Sequence, residues 1–196
     1  MGNRSAGFED IRSDFNNILA TFLWALALVL VITLQIYLIQ HAESKSKEED
    51  PARPLTDEGR RTVERVAAHL ARLDISFDCV FHSGKLRAQQ TAEILAGSLK
   101  INERVEARAG LGPLDPVGPI AQWLSEQAQH GRKSVAIVGH LPSLEKLASL
   151  LVAGNENVEV VSFQYAGVVR LAPKPQGQGY TVRWSLAPEL VTSSGE

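Results

Sequence analysis

The chain has 196 residues, of which 44% are hydrophobic and 21% are charged, and its formal net charge is −2 at pH 7. This length and composition allow one domain with a sizeable core plus an extension. The near-neutral charge, without a block of Lys and Arg, excludes a protein that binds nucleic acid through a basic stripe. The single cysteine, Cys79, excludes a disulfide framework, and its place in an apolar run predicts a small core residue.

The first element is an uncharged apolar run at residues 18–39, which follows a polar leader. Residues 18–33 are rich in Leu and Ala and are typical of a helix, whereas residues 36–39 (IYLI) are typical of a buried strand. The helix would be about 25 Å long, which is marginal for crossing a bilayer. Three interpretations stay open for residues 18–34: a short membrane anchor, a helix packed on the domain or on a partner, and a translated leader that does not fold.

The charges that flank the run give it an orientation in the membrane-anchor interpretation. Two arginines precede the run, and a larger group of cations follows it: Lys45, Lys47, Arg53, Arg60 and Arg61. This bias places the part that follows in the cytoplasm. We therefore predict an N-terminal extension at residues 1–34 and a cytoplasmic domain at residues 35–196, with the apolar helix as the candidate anchor.

Helices and strands alternate in the rest of the chain. Thr56 is the predicted N-cap of a helix that extends to about residue 73. Further strands are predicted at 75–81 and 134–138, further helices at 85–96, around 120–124 and at 142–152, and strand-like pieces at 158–163, 168–171 and 180–184. This alternation predicts an α/β fold whose central sheet is largely parallel.

Each of the three apolar strands ends at a histidine, namely His41, His82 and His140. Since a helix follows each of them, all three belong to the carboxyl edge of the sheet, where open α/β sheets bind ligands. The other two histidines, His69 and His130, fall in a helix or at a helix end, and we expect them to be surface residues.

Two features near these histidines favour an anion. Gly139 and Pro142 flank His140 and predict a tight turn into a helix N-terminus, whose free N–H groups bind anions. Arg87 falls in the first turn of the helix after His82, where its guanidinium could reach phosphate oxygens, although the spacing also fits a solvent-facing residue.

Three chemistries fit such a pocket. One histidine could be a nucleophile that forms a phosphoenzyme, the three histidines could bind zinc, or the pocket could bind phosphate without reaction. The arginine and the helix N-terminus would repel a cation, so we predict no metal.

Four segments carry a resemblance to a known family. They are QHAE at residues 40–43, PLTDEG at 54–59, HSGKLRAQQTAE at 82–93 and GHLP at 139–142. In this order they resemble the motifs of the histidine phosphatase (phosphoglycerate mutase-like) superfamily, and within it those of the small SixA-type phosphohistidine phosphatases. The resemblance covers residues 35–190.

The resemblance implies a three-layer α/β/α sandwich and a phosphatase without metal or other cofactor. It implies that His41 is the nucleophile and that Arg87 and His140 hold the phosphoryl group. Five further residues are expected to bind phosphate or substrate: Gln40, His82, Ser83, Lys85 and Gly139. The expected reaction removes phosphate from a histidine-phosphorylated signalling or phosphotransfer protein, through a covalent phosphohistidine on His41. We expect a monomeric enzyme.

Two alternatives stay open beside this reaction, namely a weakened phosphate- or phosphoprotein-binding module and a small-molecule phosphomonoesterase. Family members that act on phosphate esters carry a carboxylic acid for the leaving group. The candidate for that role in this chain, Asp115, stands beside Pro116 and is typical of a turn.

The chain departs from the family pattern where it has Gln40 instead of arginine and Ala42 instead of glycine. Glutamine can donate two N–H bonds but carries no charge. Since charge-assisted hydrogen bonds contribute about 1.5–3 kcal/mol, an uncompensated exchange would slow the reaction by roughly one to two orders of magnitude. Our hypothesis is that His82 and Lys85 partly supply the missing charge.

Overall fold

The computed structural model describes residues 34–176 and 178–191. The helix predicted at residues 18–33 lies outside the described residues, as does nearly all of the predicted extension. None of the helices in the described part combines the length and the apolar character that a membrane span requires.

A mixed sheet of six strands, in the order β3-β2-β4-β1-β5-β6, forms the centre of the described part. Its strands are β1 (Gln35–Gln40), β2 (Cys79–His82), β3 (Val105–Ala107), β4 (Ser134–Gly139), β5 (Val168–Pro173) and β6 (Tyr180–Leu186). The first four are parallel, whereas β5 pairs antiparallel with β1 and β6 pairs antiparallel with β5. The predicted α/β fold with a parallel centre is thus confirmed.

Four α-helices cover the two faces of this sheet, namely α1 (Asp57–Arg72), α2 (Leu86–Ser98), α3 (Gly118–Gln129) and α4 (Ser143–Ala153). Alternate residues of β1 face opposite layers: Tyr37 and Ile39 share a core with α1 and α2, and Ile36 and Leu38 share a core with α3 and α4. The apolar stripe of α1 includes Val63, Val66 and Leu70, at the helical spacing expected for one buried face. Two layers of helices on one sheet make the three-layer sandwich that the resemblance implies.

The structure differs from the sequence expectation at two predicted strands. The strand predicted at 75–81 is only Cys79–His82, because the Asp78 carboxylate accepts hydrogen bonds from the backbone N–H groups of Lys133 and Ser134, at 2.6 and 3.0 Å. The segment at 158–163 is not a strand, and its side chains at Val160 and Phe163 pack on the core that α3 and α4 cover. In contrast, the short β3, with mainly exposed residues, was not predicted.

Candidate active site

The carboxyl ends of β1, β4 and β2 meet at one point of the sheet edge. In the register of the sheet, Gln40 pairs with Gly139, and His82 pairs with Val138. The backbone N–H of His41 donates to the carbonyl of Gly139 at 3.1 Å, and the ring centroids of His41 and His140 are 4.9 Å apart. The three strand-end histidines therefore share one edge, as the sequence predicts, and His41 and His140 lie ring to ring.

The hydrogen bonds of His41 define its tautomer. Its Nδ1 lies 2.7 Å from the carbonyl oxygen of Ala42, and its Nε2 lies 3.1 Å from the Nε–H of Arg87. Because a carbonyl oxygen only accepts, Nδ1 carries the proton and Nε2 presents a lone pair. Burial lowers the pKa of His41 to about 4, with further lowering from the charges of Arg87 and Arg53. The imidazole is thus neutral at pH 7 and has one nucleophilic nitrogen.

The position of Arg87 relative to His41 depends on a buried threonine. The Thr91 hydroxyl donates to the carbonyl of Arg87 at 2.8 Å, and the same oxygen accepts the N–H of Ala42 at 3.1 Å. One side chain therefore joins the first turn of α2 to the residue that follows His41. Thr91 falls within the family-like segment at residues 82–93 but was not predicted as a site residue.

His140 is the second buried histidine of the site. Its Nε2 lies 2.6 Å from the Ser83 hydroxyl, and its Nδ1 is buried without a hydrogen-bond partner among the described residues. Burial lowers the pKa of His140 to about 3, with additional lowering from the charges of His41, Arg87, Lys85 and Arg53. His140 is therefore also neutral in the absence of an anion. His140 and Ser83, which the sequence predicts separately as site residues, are thus in direct contact.

His82 differs from the other two strand-end histidines. Its Nδ1 accepts the N–H of Gly84 at 3.1 Å, inside the turn that precedes α2. Burial lowers the pKa of His82. Both observations favour a neutral ring, so His82 is a poor source of the positive charge that our sequence hypothesis assigned to it.

Gln40 and Gly139 lie side by side at the ends of their strands. The Gln40 side chain is 8% exposed, and its Oε1 has no hydrogen-bond partner among the described residues. Gly139 is the last residue of β4 rather than part of a tight turn, and a Cβ there would lie 3.0 Å from Cδ2 of Leu144. Glycine therefore allows α4 to pack closely against the strand end.

The cations Arg87 and Lys85 form no ion pair with a carboxylate of the described residues. The ion pairs found within residues 34–176 and 178–191 involve neither Arg87 nor the exposed Lys85. Asp115, the candidate acid of the sequence analysis, accepts the N–H of Gly112 at 2.8 Å and so stabilises a turn. The positive charge of the site is therefore available to bind an anion.

Tyr165 is a site residue that was not predicted from the sequence. Its ring centroid lies 5.5 Å from that of His41, and 49% of its surface is exposed. The next residue, Ala166, has a positive φ of 59° and donates its N–H to the carbonyl of Gln40 at 3.0 Å, which fixes this loop at the site. Tyr165 therefore forms part of the rim of the pocket.

The protonation of the two buried histidines leads to a prediction about stability. The pKa values of His41 and His140 are about 4 and about 3 in the folded protein, against a usual 6.5. At pH values between the folded and the usual pKa, the unfolded chain therefore binds more protons than the folded protein. The free energy of unfolding is therefore expected to fall as the pH falls from about 6.5 toward 4. Urea unfolding at several pH values measures this slope. The slope should be shallower in His41→Gln, and an equally steep slope in that variant would contradict the assignment.

The segment after His41 is held by the start of α1. The carbonyl of Glu43 accepts the N–H of Thr56 at 3.1 Å, and the Thr56 hydroxyl donates to the Glu43 carboxylate at 3.3 Å. The same hydroxyl caps α1 by accepting the N–H of Gly59 at 2.9 Å. A Cβ at Gly59 would overlap the carbonyl oxygen of Glu43, so only glycine allows this close approach.

The Gly59→Ala variant is accordingly expected to lose about 2–3 kcal/mol of unfolding free energy, because the helix must move away from the segment after His41. Denaturant unfolding measures the loss. Gly118→Ala is the matched control, since nothing lies within 4 Å of a Cβ at the start of α3. Equal stability of the two variants would show that this contact does not hold the segment.

The chain matches one family model and several known proteins. The model of the histidine phosphatase superfamily (branch 1) matches residues 36–113, which contain His41 and Arg87. An uncharacterized protein of Picosynechococcus is 30% identical over 141 residues, covering 70% of this chain and 84% of that protein. Phosphohistidine phosphatase SixA of Escherichia coli K12 is 26% identical over 156 residues, which cover 79% of this chain and 94% of that protein. Mouse PGAM5, a mitochondrial serine/threonine-protein phosphatase, is 34% identical over 104 residues, which cover 50% of this chain and 35% of that protein.

Solved structures show the same fold. The structure of the protein histidine phosphatase SixA complexed with tungstate has a TM-score of 0.72 at 24% identity and covers 81% of this chain and 99% of its own. A phosphoglycerate mutase from Bacillus anthracis has a TM-score of 0.59 at 15% identity and covers 76% of this chain and 91% of its own. At these identities the two structures support the fold alone.

Together, the phosphoglycerate mutase-like fold, the family match and the relatives identify the protein as a phosphatase. It belongs to the histidine phosphatase superfamily.

Proposed function

We propose that the protein removes phosphate from a phosphohistidine in another protein. The observation that carries this proposal is a neutral His41 whose Nε2 lies 3.1 Å from Arg87, with no carboxylic acid among the described residues bonded to either side chain. Nε2 attacks phosphorus, the P–N bond of the substrate breaks, and the substrate imidazole leaves. Water then hydrolyses the phosphoryl group on His41 and releases inorganic phosphate.

The other residues of the site act on the charge of the phosphoryl group. Arg87 and the pair of His140 and Ser83 flank His41, where they can donate hydrogen bonds to the equatorial oxygens during transfer. The N-terminus of α2, which Lys85 precedes, has no side-chain cap and adds backbone N–H groups at the same edge. We assign phosphate binding to Ser83 and Lys85 on this basis.

The lack of an acid bonded to the reacting groups, within the part of the chain that the structure describes, favours phosphohistidine over a phosphate ester as the substrate. An ester releases an alkoxide, which needs a proton from a positioned acid. An imidazole can take its proton from solvent on the ring nitrogen that does not bear phosphorus, so it leaves without such an acid. Asp115 accepts a backbone bond in a turn, and Glu43 accepts the Thr56 hydroxyl, so neither carboxylate is bonded to the reacting groups.

The proposed partner is a histidine-phosphorylated signalling or phosphotransfer protein. The named activity of the Escherichia coli relative supports this substrate class. The PGAM5 relatives are named for activity on serine and threonine, which makes phosphoserine and phosphothreonine the substrates to compare.

The test is phosphate release from three substrates under one condition: a phosphotransfer domain phosphorylated on histidine, a phosphoserine peptide and p-nitrophenyl phosphate. We expect kcat/KM to be highest for the phosphohistidine protein by at least about tenfold. A higher value for either ester would favour a phosphomonoesterase. Binding of the phosphohistidine protein without release would favour a binding module.

A further inference from the structure

Arg53 lies in the loop between β1 and α1, outside every motif considered so far. This loop folds back on the segment after His41: Lys45 donates its N–H to the carbonyl of Pro54 at 2.9 Å, and Ser44 and Leu55 form an antiparallel bridge. Arg53 has a positive φ of 53°, which is uncommon for a residue with a side chain. The conformation of the loop thus places Arg53 close to the segment that follows β1.

The guanidinium of Arg53 is fixed against residues that closely follow His41. Its Nε donates to the carbonyl of Lys45 at 3.1 Å, and its Nη2 donates to the Ser44 hydroxyl at 3.4 Å. No hydrogen bond of Nη1 is found within the described residues, and no carboxylate there forms an ion pair with Arg53. A half-buried arginine is therefore held beside the site with its charge unneutralised.

The charge of Arg53 acts on every principal group of the site. It lowers the pKa of His41, of Arg87 and of His140, although burial is the largest cause for each of the three. Lys85, by comparison, affects only His140 among these groups. Gln40, the residue that replaces the arginine of the family motif, contributes no charge.

We propose that Arg53 supplies to the phosphoryl site the positive charge that Gln40 lacks. In this arrangement the first strand end contributes a neutral amide, and the loop that follows it contributes the cation. The proposal rests on the proposed function, because it requires a phosphoryl group in this site. It extends our sequence hypothesis by adding a third source of charge.

Binding of inorganic phosphate tests the charge directly, by calorimetry and without turnover. We expect Arg53→Gln to weaken phosphate binding about tenfold and Arg53→Lys to weaken it less, because lysine keeps the charge but not the fixed planar geometry. Arg60→Gln is the matched control, since it removes one exposed cation from the start of α1. A loss in Arg53→Gln no larger than that in Arg60→Gln would overturn the proposal.

A second-site variant separates a charge from a structural role. If Arg53 stands in for the missing arginine, Gln40→Arg should restore phosphate affinity in the Arg53→Gln background more than it raises the affinity of the unchanged protein. Equal effects of Gln40→Arg in the two backgrounds would contradict the proposal. Thermal unfolding without phosphate shows whether Arg53→Gln folds. If it does not fold, the phosphate affinity of Arg53→Lys is used for the test instead. If the unchanged protein binds no phosphate, the proposed function itself fails; if all variants bind equally, only the role of Arg53 fails.

Discussion

Replacing His41 with alanine is expected to lower phosphate release from a phosphohistidine protein by at least about a thousandfold, because the covalent route needs its Nε2. No described neighbour can take over. His140 is the adjacent buried imidazole, but its Nε2 lies 2.6 Å from the Ser83 hydroxyl rather than beside Arg87. Quenched-flow measurement of phosphate release gives the rate, and an alkaline quench traps the phosphoenzyme, whose P–N bond is stable to base.

The control for this experiment is His69→Ala, in the last turn of α1, at the opposite end of the helix from the Thr56 cap that contacts Glu43. We expect it to keep the rate of the unchanged protein and to form the same phosphoenzyme. Retention of a tenth of the activity in His41→Ala, or trapping of a phosphoenzyme in that variant, would assign the nucleophile to another residue.

Replacing Arg87 has the second largest expected effect. Its Nε–H donates to Nε2 of His41 at 3.1 Å, so the same group is in place to donate to the oxygens of the phosphoryl group during transfer. We expect Arg87→Ala to lower kcat/KM about a thousandfold, in line with the loss of an arginine that stabilises a transferring phosphoryl group. Arg87→Lys should lose about a hundredfold, because an ammonium keeps the charge without the planar set of donors.

The matched control is Arg61→Lys, in which an exposed arginine that pairs with Glu58 receives the same exchange. We expect its kcat/KM to stay within about twofold, since exposed ion pairs contribute little. Wild-type activity in Arg87→Lys would mean that the site needs only a point charge at this position. Phosphate affinity measured on the same variants then separates ground-state binding from stabilisation of the transition state.

The sequence predicted the part of the site that depends on strand order. His41, His82 and His140 were placed at one edge because a buried strand precedes each of them and a helix follows, and parallel strands put such ends together. The place of Arg87 in the first turn of a helix fitted a solvent-facing residue equally, so its role followed only from the family motif. The α1 cap at Thr56 was predicted from residue type and confirmed by its bond to Gly59.

Contacts between distant parts of the chain were not predicted. Thr91 joins α2 to Ala42 across 49 positions, and no local pattern marks it as different from any buried helical threonine. Tyr165 reaches His41 through a loop whose conformation depends on the backbone bond from Ala166 to Gln40. The strand predicted at 75–81 was too long because the Asp78 carboxylate satisfies backbone donors of another strand, which local propensity does not reveal.

The bond from Nδ1 of His41 to the carbonyl of Ala42 determines which isomer the proposed intermediate can be. With a proton on Nδ1 and that proton committed at 2.7 Å to a backbone oxygen, phosphorus can join the ring only at Nε2. The trapped enzyme should therefore contain the isomer phosphorylated at Nε2 and none phosphorylated at Nδ1, which phosphorus NMR distinguishes. The backbone thus gives the imidazole a regiochemistry that free histidine lacks, and it keeps the acceptor nitrogen the same in every turnover.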